Sequence, residues 1–366
     1  MSDRPTLKTI AQMTGLAVPT ISRALSGAED ISLATRARVR AVADEIGYVP
    51  NRAGVRLRTG RTNVVSLVLS TDHDLMNHTA KLINSIAAGL RDTPFHLIIT
   101  PFFADEDPMK PIRYVVETES ADVVIFNQIE PGDPRVSYLI ERGFPFVTHG
   151  RSRWADRHPY VDFDNNAFAR IAIETLSKRG RRKIVLIAPP TAQTYAQTMI
   201  EGASDAARAA GSELTILPGA TSDANGAAIE TALTRFLETE PNLDGIICAS
   251  SNAGLSCITA LGSSGRTIGA DIDVVAKEAA PFLKRICPAV IIVTEDVGMA
   301  GKALADAAIS RALRPDEPFV QLPEVPASRT PSKWLTTQAG TKEKPRKNQD
   351  SSGAAKEIDE TPQRPG

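Results

Sequence analysis

Long apolar runs are missing from this sequence. Nowhere do roughly 18 uninterrupted apolar residues occur, the length a membrane span needs, so no spanning helix is expected. The first residues, Met1-Ser2-Asp3-Arg4-Pro5, are polar and no apolar stretch follows them, so no secretory signal is visible and a cytoplasmic protein is the expectation. Cysteine is scarce as well. Cys248, Cys257 and Cys287 form no Cys-x-x-Cys pair and no disulfide framework; each lies in or just after an apolar run, which predicts buried free thiols. Signatures of catalysis are also lacking. There is no Gly-x-Ser-x-Gly motif, and His73 and His78 stand five apart rather than at the i, i+4 spacing of a helical metal pair, with no cysteine near them. Gly262-Ser263-Ser264-Gly265 neither follows a strand nor opens a helix, as a phosphate cradle must. No cofactor, metal or catalytic residue is implied, and the chain is not expected to be an enzyme.

An excess of one charge is absent too: the formal net charge is −1. Spread evenly, that would argue against nucleic acid, but the charge is not even. Residues 1–62 carry ten basic against five acidic side chains, about +5, which leaves about −6 for the rest. This asymmetry fits a phosphate-binding module joined to a mildly acidic partner domain, or simply a solvated basic face. Otherwise the composition, 42% hydrophobic and 23% charged over 366 residues, is that of a globular protein with room for more than one domain.

The basic N-terminus reads as three short helices. Thr6 can cap a first helix with Leu7, Ile10, Ala11 and Thr14 on one face, ended by Gly15. Leu16-Ala17 turns into a second run, 18–25, with Ile21 and Leu25 facing inward and Pro19 in the first turn, where its missing N–H costs nothing. A third helix from Ser32 buries Val39, Val42, Ala43 and Ile46 and stops at Gly47, with Pro50 beyond. Two short helices across a tight turn with a third bracing them make a helix-turn-helix, or a three-helix interaction domain.

The wording of the segment decides between these. Thr6-Leu7-Lys8-Thr9-Ile10-Ala11, Gly15-Leu16, Thr20-Ile21-Ser22-Arg23-Ala24-Leu25 and Ile46-Gly47-Tyr48-Val49-Pro50-Asn51 closely resemble the headpiece of the lactose-repressor (LacI/GalR) family over residues 5–62. The resemblance implies that the second helix enters the major groove of operator DNA. Val18, Pro19 and Arg23 would then face base edges, with Thr6, Thr20 and Ser22 among the contacts that position the helix. Arg23 can pair bidentately with a guanine, a contact worth about 1–3 kcal/mol of discrimination, whereas Val18 and Pro19 can read only thymine methyls or shape. Ala17 stands where relatives usually have a capping serine. Residues 51–60 match the family's hinge, a segment that folds into a short helix on DNA. There Asn51, Arg52, Ala53 and Arg56 would touch DNA while Leu57 wedges into the central minor-groove step.

From Val64 onward, β-branched runs at 64–69, 96–100, 122–126, 146–148, 183–187, 245–249, 272–276 and 290–293 alternate with helical patterns at 75–91, 165–179, 194–210 and 223–238. That rhythm predicts parallel sheets with crossover helices. About four strands on each side of Asp164 predict two similar lobes, the α/β two-lobed periplasmic-binding-protein-like domain of the family, with a small-molecule effector in the cleft. A last helix, 295–312, and a strand, 319–322, would cross back to the first lobe. The expected organisation is therefore an N-terminal all-α helix-turn-helix headpiece (1–50), a hinge (51–62), a two-lobed domain (63–335) and a disordered tail (336–366).

The effector site is where the sequence departs from its relatives. Met199 replaces the arginine that commonly grips sugar hydroxyls, Ser250-Ser251 replace the usual Asn-Asp, and Glu278 is aligned with the usual acidic residue. Asp72, His73, Asn77 and His78 after the first strand, Gly150 and Arg151 at another strand end, and Phe163 and Asp164 at the crossover complete the expected lining. The implied function is a repressor of a carbohydrate-utilisation operon released by its effector, or else a corepressed or activating regulator of another metabolite. The competing class is an α/β enzyme or solute-binding protein, the latter needing a signal peptide. Two-fold operator logic implies a homodimer, and residues 340–366 carry no leucine heptad of the kind that builds tetramers.

Overall fold

The structure is a computed structural model that describes residues 5–49, 52–70, 78–103, 105–279 and 282–326, with the backbone alone at 52, 53, 55 and 58. Asn51, Asp72, His73, Asn77 and the tail from 336 lie outside the described residues.

At the N-terminus, Thr6 breaks from extended backbone and caps α1 (Leu7–Thr14): its hydroxyl accepts from the Thr9 amide, and the Thr9 hydroxyl accepts from the Thr6 amide. Gly15 ends α1 in the left-handed region, at φ 69°. The helix α2 (Val18–Leu25) starts at Ala17 with no side-chain cap, as expected, and α3 (Leu33–Glu45) is capped by Ser32. Ile10, Ile21, Ala24, Val39 and Ala43 close the small core. Leu25, expected inside, only packs on its margin, because Ala24 takes the buried position one residue earlier. A short helix, α4 (Arg52–Thr59), leads to the lobes.

The first lobe holds β1 (Val64–Ser70), α5 (Ala80–Gly89), β2 (His96–Phe102), α6 (Met109–Thr118), β3 (Val123–Phe126), α7 (Pro134–Arg142), β4 (Phe146–His149) and β5 (Tyr160–Phe163). The chain then enters the second lobe: α8 (Asn165–Lys178), β6 (Lys183–Ile187), α9 (Thr194–Ala210), β7 (Glu213–Ile216), α10 (Gly226–Thr239), β8 (Gly245–Cys248), α11 (Ser251–Ser263), β9 (Asp273–Glu278), α12 (Leu283–Ile286) and β10 (Ile291–Thr294). Finally α13 (Val297–Leu313) and β11 (Gln321–Glu324) return to the first lobe. The sheets run β2-β1-β3-β4-β5-β11 and β7-β6-β8-β9-β10, with every described pairing parallel.

Alternation along each strand feeds two cores per lobe. In β1, all of it buried, Val65, Leu67 and Leu69 pack on α5 and α13, whereas Val64 and Val68 face α6 and α7. In the second lobe, Val185 and Ile187 face α10 and α11, and Ile184 and Leu186 face α8 and α9. The helices α5 and α13 approach closely at Gly301, where a Cβ would come 2.5 Å from the Ser85 Cβ. The cysteines are free thiols, Cys248 and Cys257 buried and Cys287 half-buried.

Two strands escaped the sequence pattern. The strand β7 is an edge with no fully buried residue, and in β5 the apolar run is interrupted by Asp162, which the Arg151 guanidinium neutralises at 2.6 Å. The edge strand β2 runs past Thr100 through Pro101, a residue an edge tolerates because no neighbour needs its N–H.

Candidate functional site

In both sheets the strand order reverses beside the first strand, between β1 and β3 and between β6 and β8. Ligands of open α/β sheets sit at the carboxyl ends of strands flanking such a reversal. Here those ends face a shared cleft with about 1050 Å³ of open space, part of it continuous with solvent. Its lining comes from successive strand ends: Asn127 and Gln128 after β3, His149 and Gly150 at β4, Asp162 and Phe163 on β5, Tyr195 at the start of α9, Ser222 and Asp223 after β7, Ser250 to Asn252 after β8, Lys277 on β9 and Glu295 after β10.

Charge in the cleft centres on Glu295, which is buried. The Lys277 ammonium lies 3.2 Å from one of its oxygens and the His78 Nε2 lies 3.3 Å from the other. Burial pushes Glu295 up, but Lys277 and His78 together outweigh it and hold the carboxyl well below the usual carboxylate range. Lys277 also donates to Asn165 Oδ1 at 3.2 Å and sits 5.1 Å from the Phe163 ring centroid and 5.8 Å from that of Tyr195. The Tyr195 hydroxyl donates to Asp223 at 3.1 Å; burial and that carboxylate raise its pKa well above the ordinary tyrosine value. His149 stacks on His78 at 5.8 Å, and burial, reinforced by His78, lowers its pKa to about 4, so the ring is neutral. Carboxylates, amides and hydroxyls beside the rings of His78, His149, Phe163 and Tyr195 suit a ligand with many hydroxyls and some apolar C–H surface.

Of the expected cleft residues, His78, Gly150, Phe163 and Ser250 line the cavity. The others described do not. Met199 is fully buried in the core between α8, α9 and the second sheet. Glu278 points away and accepts from the Phe282 and Leu283 amides at 2.7 and 2.8 Å, capping α12. Asp164 caps α8 by accepting from the Ala167 amide, and Arg151 is taken up by Asp162. Tyr195, Asp223, Lys277 and Glu295 were missed, although each lies just past, or opens, an element placed from the sequence.

The wall after β3 is held by a buried ion pair. Arg135 binds Asp133 through Nε at 3.0 Å and Nη2 at 2.6 Å; Nη2 also donates to the carbonyls of Gln128 (2.8 Å) and Asn127 (3.2 Å). Gln128 sits at φ 57°, a left-handed conformation this clamp maintains. Next to it, the Ile129 carbonyl accepts from the Thr194 amide of the second lobe at 2.8 Å. Replacing Arg135 by methionine strands Asp133 and two carbonyls, so the variant should lose about 3–5 kcal/mol, read as an earlier denaturant midpoint.

Glu324 ties the crossovers together. Its carbonyl accepts from the Asp164 amide at 2.7 Å and its carboxyl from the Asp296 amide at 2.6 Å. Burial first, and then Glu295 and Asp296, raise its pKa to about 7. The folded protein thus holds a proton there that the unfolded chain has released, so the group's contribution to stability is full below pH ~4.5 and is lost as pH rises through about 7. Glu324→Gln should keep the Asp296 contact and remove on the order of 2 kcal/mol of that decline. Thermal unfolding across pH 5–8 reads the difference; an unchanged slope would refute the assignment.

In the headpiece, Thr6, Pro19 and Arg23 are exposed, while Val18, Thr20 and Ser22 are half-buried beside them on α2. Arg23 is paired with Asp30. Arg38 donates to the Thr14 carbonyl at 2.9 Å and locks α3 against the end of α1. Along α4, Leu57 is 90% exposed. Arg56 reaches the first lobe, where it donates to Glu119 and to the Thr118 carbonyl, both at 3.3 Å. The side chains of Arg52 and Ala53 lie outside the described residues.

Comparison with known proteins places both parts. Residues 6–51 match the family model "Bacterial regulatory proteins, lacI family", and residues 116–311 match a periplasmic binding protein domain. The chain is 31% identical over 287 residues to the HTH-type transcriptional regulator AglR of Rhizobium meliloti, covering 76% of this chain and 79% of that one. It is 28% identical to the HTH-type transcriptional regulator CelR of Thermobifida fusca, over 84% and 92% of the two chains. Among solved structures, a CelR–cellobiose complex superposes with a TM-score of 0.65 at 26% identity, over 88% of this chain and 98% of that one. The lac repressor dimer bound to operator shares the fold, with a TM-score of 0.75 at 17% identity over 88% and 97%.

Proposed function

Because the chain belongs to the lacI family of bacterial regulatory proteins, we propose that it is an operator-binding transcriptional repressor, acting in the cytoplasm as a homodimer and released from DNA by a sugar. Residues 1–50 are the headpiece, 51–62 the hinge and 63–335 the effector-binding and dimerisation body. Arg23, with Val18 and Pro19, reads bases; Thr6, Thr20, Ser22, Asn51, Arg52, Ala53 and Arg56 position the protein on the duplex.

The observation that carries this reading is the pairing of a polyhydroxyl-type cleft at both sheet reversals with a short basic helix, α4, that is fastened to the first lobe through Arg56. A sugar in the cleft touches both lobes and so favours one lobe arrangement by its differential affinity. By linkage, the arrangement that binds sugar better must bind operator worse if the sugar is an inducer. The cellobiose in the CelR complex favours a disaccharide or larger sugar over a nucleobase or amino acid.

Fluorescence anisotropy with the DNA upstream of the protein's own gene tests the reading. Salt-sensitive, sequence-specific binding that weakens on adding cellobiose or maltose supports it. Failure of any DNA fragment to compete better than random duplex would sink it.

A further inference from the structure

Resting on the sugar-effector reading, we propose that the cleft selects a neutral sugar and rejects its phosphorylated counterpart, with Asp223 and Glu295 as the discriminating residues. The cleft wall carries three carboxylates, Asp162, Asp223 and Glu295, and Lys277 is the one lysine or arginine among its described residues. That lysine is already committed. Its ammonium is shared between the Glu295 carboxylate and Asn165 Oδ1, and the remaining face is turned to the rings of Phe163 and Tyr195. A phosphate could take it only by leaving Glu295 buried with His78 alone.

Other cations nearby are engaged too. Arg151 is bonded to Asp162, and the Lys81 ammonium on α5 donates to the Ala279 carbonyl at 2.7 Å. His149 is kept neutral by its burial. The carboxylates act on common ground: the charge of Glu295 is felt both at Asp162 and at the Tyr195 hydroxyl, which Asp223 contacts directly. A dianionic phosphoryl group entering this space meets like charge, with no lysine or arginine among the described lining residues beyond the engaged Lys277, whereas sugar hydroxyls donate to the same carboxylates.

Isothermal titration of the full chain with cellobiose and cellobiose 6′-phosphate, and with maltose and maltose 6′-phosphate, tests this. The phosphorylated member of a pair should bind about 100-fold more weakly. Asp223→Asn should narrow that ratio by about tenfold, because one repelling charge is gone; if that variant does not fold, Glu295→Gln serves the same comparison. Equal or tighter binding of a phosphorylated sugar by the wild type overturns the inference and leaves the sugar reading intact. A ratio that neither variant changes assigns the discrimination to bulk and also overturns it. If no sugar of either kind binds, the effector reading itself fails and the inference falls with it.

Discussion

A Leu57→Ser protein is expected to bind its operator about 100-fold more weakly than the wild type while unfolding at the same temperature. The two halves of that result come from one observation. Leu57 is 90% exposed on α4, so its side chain contributes no packing that serine would remove. Eight residues are too few for a helix to be stable alone, and Gly54 lowers its helicity by up to about 1 kcal/mol relative to alanine. What an apolar side chain can add is a wedge: inserted between base steps it offsets a few kcal/mol of unstacking through the contacts the bent duplex allows. Serine cannot. Anisotropy titration and a melting curve on the same preparation check both halves; lost affinity with a lowered melting temperature would reassign Leu57 to folding.

Lys277→Met should have the largest effect on the effector side. It leaves Glu295, a buried carboxylate, with His78 as its remaining described side-chain partner. Breaking such a pair costs about 3–5 kcal/mol, a drop in melting temperature on the order of 10 °C. The operator complex should also persist at sugar concentrations that release the wild type, because Lys277 orients Glu295 and Asn165 toward the cleft. Stability loss alone could mimic that outcome, so the double replacement Lys277→Met with Glu295→Leu separates them. Exchanging both charges for apolar groups is often close to neutral for stability. The double variant should therefore regain its melting temperature and remain unresponsive to sugar. Recovery of both would show that the pair is structural and not part of recognition.

Periodicity and capping chemistry placed most of the elements, and the family resemblance decided how they are arranged. Thr6, Gly15 and Ser32 mark the headpiece helices because the groups that satisfy helix ends are local to the chain. Buried parallel strands such as β1 read directly as apolar runs. The failures have equally definite causes. Lys277 and Glu278 are neighbours on β9, so their side chains leave opposite faces of the strand; choosing Glu278 as the cleft acid is a one-residue slip, which exchanges the cleft for α12. On α9, Met199 and Tyr195 are one turn apart, yet Met199 is core and Tyr195 is at the helix end that meets the cleft.

The sequence by itself determined that this chain has a helix-turn-helix headpiece, a short basic segment and α/β lobes with parallel sheets, since the apolar periodicity, the caps and the motif wording that mark them are local to the chain. Where the lysine, carboxylates and rings of the cleft meet was decided only by tertiary structure. Lys277, Glu295 and His78 come from different strand and helix ends, up to 217 residues apart, and they converge because both sheets reverse their strand order at the same cleft. No spacing along the chain encodes that convergence: Met199, expected in the cleft, lies in the core, and Glu295 and Asp223 line the cleft.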